Sequence, residues 1–130
     1  MLSPKAHAEL MLIPQMHLSL LLSGHGEAEY ARSVGGVLNI GIALANRGKH
    51  AEFQARLQEA LLLLVNGRRR DPPFFFSAEE AGELKTTMNL LDRYIGVQHK
   101  SRLVEAMAFI EKAIDSGGGV DLKLHTFEAG

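Results

Sequence analysis

The stretch HAEFQARLQEALLLLV, residues 50–65, decides the fold class. Phe53, Leu57, Ala60, Leu61 and Leu64 recur at three- and four-residue steps, while Glu52, Arg56 and Glu59 fall between them. A helical period puts the first set on one face and the second set in water. Leu61 to Val65 is apolar nearly all round, which predicts burial on two sides. Asn66-Gly67 predicts the helix end.

The same spacing extends outward in both directions. Upstream, Tyr30, Val34, Val37, Leu38, Gly41, Leu44 and Ala45 predict a helix from Glu27 to about Asn46, closed by Gly48. Gly35, Gly36 and Gly41 lie inside it, and each costs about 1 kcal/mol relative to alanine. Small residues earn that position by letting another backbone approach, or they mark a kink. Gly35 and Gly36 are therefore candidate self-association residues at a dimer seam. Before this helix, Ser3-Pro4 pairs a hydroxyl cap with proline at the first helical position, which predicts a helix to about Ile13. Pro14 lacks an amide hydrogen and is expected to bend or restart it, with a second run from Gln15 to Leu22.

Downstream, Asp71-Pro72-Pro73 places a loop over residues 68–76. Ser77 with Glu80 three positions on is a capping box, and Ala81, Leu84, Met88, Leu91 and Ile95 follow at helical steps. Leu103, Met107, Ile110 and Ile114 predict a last helix, Lys100 to Asp115, ended by Ser116-Gly117-Gly118-Gly119. The expected fold is all-α: a compact bundle of four to five helices over residues 1–119, with a C-terminal tail over 120–130. In that tail Val120, Leu122 and Leu124 alternate with Asp121, Lys123 and His125, a strand-like period of two. A short strand has no partner in a helical domain, so the tail is expected to dangle or to add to a sheet in a partner or a second copy.

Composition narrows the function. The chain of 130 residues has the size of one domain, and 46 % apolar with 22 % charged residues is a globular balance. With no cysteine, disulfides, thiolate nucleophiles and cysteine-held metals are excluded, which fits a reducing, cytoplasmic setting. A net charge of −1 supplies no general pull toward DNA or acidic membranes. The most apolar stretch, Leu10 to Leu22, contains Pro14, Gln15, His17 and Ser19; it reads as a core helix, too short and polar to span a bilayer. Charge is uneven: residues 47–70 sum to +4 and residues 71–97 to −3. Two solvated faces account for that, as does a dipolar surface that pairs with a partner.

No reactive constellation stands out. None of the six histidines pair at the i, i+4 spacing of a metal-binding helix, and HExxH and G-x-S-x-G are absent. Gly117-Gly118-Gly119 has neither the lysine nor the following helix of a phosphate loop. Negative charge in a helix's first turn explains Glu79-Glu80. No catalytic residue, metal or cofactor is expected. The candidates for recognition are Arg68, Arg69, Arg70, Phe74, Phe75 and Phe76. Exposed aromatics beside arginines are typical of protein hot spots, the arginines pairing with acids and the rings filling a pocket. At least one ring should fold back onto the core. Phosphate contacts with base stacking are the other chemistry open to this run. A short basic run, acids next to it and a slightly acidic domain weigh against nucleic acid.

The run Val37-Leu38-Asn39-Ile40-Gly41-Ile42-Ala43-Leu44-Ala45, then Gly48, then Gln58-Glu59-Ala60-Leu61-Leu62, resembles a pattern in small helical proteins of proteobacterial plasmids, prophages and integrated elements. The resemblance spans roughly residues 15–115. It implies a bacterial cytoplasmic protein of a mobile element and carries no activity with it. The expected function is a non-catalytic protein-interaction module: an accessory, adaptor or inhibitor that binds a protein target or forms a homodimer. The alternative is a nucleic-acid-binding transcriptional regulator, which needs a helix with several outward cations; His50 to Val65 shows only Arg56.

Overall fold

A computed structural model describes residues 3–115, with side chains to Lys112. Five helices follow one another: α1 (Pro4–Leu22), α2 (Ala28–Arg47), α3 (Ala51–Arg68), α4 (Ala78–Gly96) and α5 (Lys100–Asp115). No strand occurs among the described residues. The expectation of an all-α bundle holds. The tail residues Val120, Leu122 and Leu124 lie outside the described residues.

Among the first four helices, those adjacent in sequence are also neighbours in space. α1 packs on α2, α2 on α3, α3 on α4, and α4 returns to α1, with α2 also meeting α4 across the centre. α5 docks on α2. The consequence is a central helix, α2, whose burial runs through Val37-Leu38-Asn39 and Gly41 to Ala45. The core joins Leu38, Ile42 and Leu44 of α2 to Leu57, Leu61 and Leu64 of α3 and to Leu84, Met88, Leu91 and Ile95 of α4. Leu, Ile, Val, Met and Ala make up most of it, in keeping with the scarcity of aromatics, and Phe74 joins them.

α1 starts as expected: the Ser3 hydroxyl accepts the Ala6 amide at 3.1 Å, and Pro4 follows the cap. It then continues unbroken through Pro14. A proline inside a helix costs roughly 3 kcal/mol, because the carbonyl four residues back loses its donor. Tertiary contacts on both sides of Pro14 offset that cost. Before it, the His7 ring Nε2 lies 2.6 Å from Asp92 Oδ1; beyond it, Gln15 donates to Asp92 Oδ2 at 2.6 Å. One carboxylate of α4 thus holds both halves in line. Pro14 itself is buried with Met11, Leu18 and Leu21.

Three local readings are corrected. α3 runs past Asn66-Gly67 to Arg68, because Gly67 sits buried against Phe76 rather than turning the chain. Leu62 is 42 % exposed, so the Leu61–Val65 run is not buried on both sides. On α5 the inward row is Leu103, Ala106 and Ile110, whereas Met107 is 43 % exposed. α5 leans on one helix, and such a contact covers a narrower stripe than a core position would.

Candidate partner-binding site

The connection between α3 and α4 folds back on its own flanks. Phe74 adopts a left-handed backbone conformation, φ 60°, which strains a bulky residue by about 1–3 kcal/mol. Two contacts hold it there. Its amide donates to the Gly67 carbonyl at 2.7 Å, and its ring is 5 % exposed within the core. Asp71-Pro72 is a cis peptide. Phe76 is half-buried against Gly67, where a β-carbon would come within 2.8 Å of the ring. Phe75, between them, is 66 % exposed. Consecutive side chains cannot share one direction, and the middle ring is the one sent outward.

Arg70 organises this loop. Its guanidinium donates twice to the Glu80 carboxylate, both at 2.7 Å, and once to the Phe75 carbonyl at 2.6 Å, while lying 5.6 Å from the Phe76 ring centre. The paired bonds are the fork geometry that only arginine offers a carboxylate. Glu80 also completes the capping box: it accepts the Ser77 amide at 3.0 Å, and the Ser77 hydroxyl accepts the Glu80 amide at 3.1 Å. Hydrogen bonds from Arg70, and then from the Ser77 amide, lower the Glu80 pKa to about 2. The same carboxylate raises that of Arg70. Of the six candidates read from the sequence, Phe74, Phe76 and Arg70 are therefore engaged in building the loop. Arg68, Arg69 and Phe75 remain on the surface. Beside Phe75 opens a cleft of about 320 Å³ between Leu21, Leu22 and Gly24 on one side and Pro73 and Ala81 on the other. A β-carbon on Gly26 would stand 2.9 Å from the Pro73 carbonyl, so the α1–α2 turn and this loop form one end of the bundle.

A second surface was hidden in the run read as core. The outward side of α1 exposes Leu12 by 66 %, Ile13 by 51 % and Met16 by 51 %. From Leu10 to Leu22 the helix has no Asp, Glu, Lys or Arg, so its solvent side is uncharged as well as its core side. A helix on a bundle's surface ordinarily carries charge on its outer face. The missing charge was the available signal; apolar content alone suggested burial.

The glycines separate. Gly35 is buried, its carbonyl accepting Asn39 Nδ2 at 3.0 Å. Gly36 is half-buried and has nothing within 4 Å of where a β-carbon would stand. The close approach belongs instead to Gly41, where a β-carbon would fall 2.5 Å from Leu91 Cδ1 and 3.0 Å from Leu57 Cδ1. Near the opposite end, His50 Nδ1 meets the Tyr94 hydroxyl at 2.6 Å, and burial raises the Tyr94 pKa. Among the described residues no three histidines, aspartates or glutamates converge as metal ligands, and no helix is long and apolar enough to cross a membrane.

Compared with known proteins, the chain matches no family model, no curated protein and no solved structure.

Proposed function

We propose that this protein is a small non-catalytic interaction module that binds another protein through the outward face of α1. The observation that carries the reading is the uncharged, exposed row Leu12, Ile13 and Met16 on a helix whose opposite side already fills the core. Contiguous exposed apolar surface on a small domain is the mark of an interaction site. Phe75 and Arg69, at the end of the bundle, add an aromatic and a cation of the kind that anchor protein partners. An accessory, adaptor or inhibitor role in a bacterial cytoplasm agrees with the resemblance to proteins of mobile elements. The target is a protein with an apolar groove or helix face.

The test is capture from a bacterial lysate with the full chain and with Ile13→Glu and Met16→Glu variants, followed by direct binding of the purified target. A target that binds the native chain and is lost with both variants supports the reading. Equal binding by all three forms refutes the α1 face. Light scattering across a concentration range, with the same variants, shows whether a second copy takes that face. Salt-sensitive binding to duplex DNA, unaffected by the α1 variants, would favour a nucleic-acid regulator instead.

A further inference from the structure

Two residues of α2 face in opposite directions. Gly41 looks inward, toward Leu57 and Leu91. Asn39, two positions back, stands roughly 160° away around the helix. It belongs to the four-residue row Gly35, Asn39, Ala43 and Arg47, and Arg47 Nη1 meets Glu105 Oε2 of α5 at 2.6 Å. The Arg47–Glu105 pair puts that row on the side of α2 where α5 docks. Asn39 is fully buried in it: Nδ2 bonds to the Gly35 carbonyl of its own helix, and Oδ1 is buried with no hydrogen-bond donor. A buried acceptor without a donor costs more than a satisfied hydrogen bond returns, so this side of α2 carries an unmet demand for a donor.

Helix α5 is lightly held. Among the described helices α5 shares substantial contact with α2 alone. It buries Leu103, Ala106 and Ile110 and leaves Val104 exposed by 55 % and Met107 by 43 %. Its tie to α4 is the three-residue link Val97-Gln98-His99, with Val97 67 % exposed. The Arg47–Glu105 ion pair is itself about half exposed, where such pairs contribute little.

We infer that α5 is an exchangeable helix, resident in a seat on α2 that also accepts an amphipathic helix from a partner protein. The seat defines that helix. It carries small and branched apolar residues at i, i+3 and i+7, an acid for Arg47, and a side-chain donor for Asn39 Oδ1, the group α5 does not supply. The site is separate from the α1 face.

Hydrogen–deuterium exchange on the full chain tests this. Segments of α5 are expected to exchange roughly tenfold or more ahead of α2, α3 and α4, through local opening. Asn39→Leu, close in size and free of the orphan oxygen, should slow α5 exchange by roughly tenfold and leave α3 and α4 unchanged. A synthetic peptide copying residues 100–115, added in excess, should bind the native chain and speed exchange of its own α5. Exchange of α5 in step with the other helices, or indifference of α5 to the peptide, would overturn the inference. The native-chain arms decide it even should the variant fail to fold. Ile13→Glu leaves this pattern unaltered, so the failure of one surface is told apart from the failure of the other.

Discussion

Alanine at Gly41 and alanine at Gly36 should change stability in opposite directions, although the two positions share one helix. Each substitution removes glycine's excess backbone entropy, a gain of about 1 kcal/mol in a helix interior. At Gly36 nothing lies within 4 Å of the new methyl, so the gain is realised. At Gly41 the methyl arrives 2.5 Å from Leu91 Cδ1 and 3.0 Å from Leu57 Cδ1, and both leucines are fully buried. Their tips can shift only by pressing on the rest of the core, and such overpacking costs about 1–3 kcal/mol. The net at Gly41 is therefore a loss of about 1 kcal/mol, and the two variants should differ by about 2 kcal/mol. Urea denaturation followed by circular dichroism measures this. The melting temperatures should separate by about 6–10 °C in a domain of this size. Gly82→Ala, an exposed α4 position with equally open space, is the control and should behave like Gly36→Ala. If Gly41→Ala is as stable as Gly36→Ala, the close packing of α2 against α3 and α4 is refuted. If Gly36→Ala instead weakens a dimer seen by light scattering, the open space is filled by a second copy.

Further outcomes follow from the loop and the caps. Phe74→Ala empties a core position and should destabilise the fold by about 3–5 kcal/mol, whereas Phe75→Ala should stay within about 0.5 kcal/mol, both by chemical denaturation. Ser77→Ala removes the capping box of α4 and should cost about 1 kcal/mol in the same assay. The Arg70–Glu80 pair gives a signed dependence on pH. The folded Glu80 carboxyl titrates near pH 2, below its unfolded value of about 4.3, so its stabilising contribution is complete above the unfolded value and is lost as pH falls through about 2. The stability difference between the native chain and Glu80→Gln should be flat from neutral pH to about 5 and then shrink with acid. A difference that grows on acidification would refute the pairing.

What could be read in advance was whatever depends on neighbours in the chain. Helices α2 to α5, the Ser3 and Ser77 caps and the inward rows of α3 and α4 follow from spacing, because a 3.6-residue period acts within a few turns. The aromatic loop was legible only as a place. Three phenylalanines in a row look alike; the Gly67 carbonyl and the Arg70–Glu80 fork decide that Phe74 goes in and Phe75 goes out. Likewise, Pro14 looks like a break until Asp92, some 77 positions from Gln15, holds the helix on both sides.

By itself the amino-acid order determined the class of fold, the places of α2 to α5 and the lack of a recognisable reactive motif. Tertiary structure alone decided which apolar residues remained outside: Leu12, Ile13 and Met16 on α1, and the flanks of α5. Hydrophobic burial has no direction of its own. A helix that is apolar all round is covered only as far as other helices reach, and that reach depends on how distant parts of the chain pack.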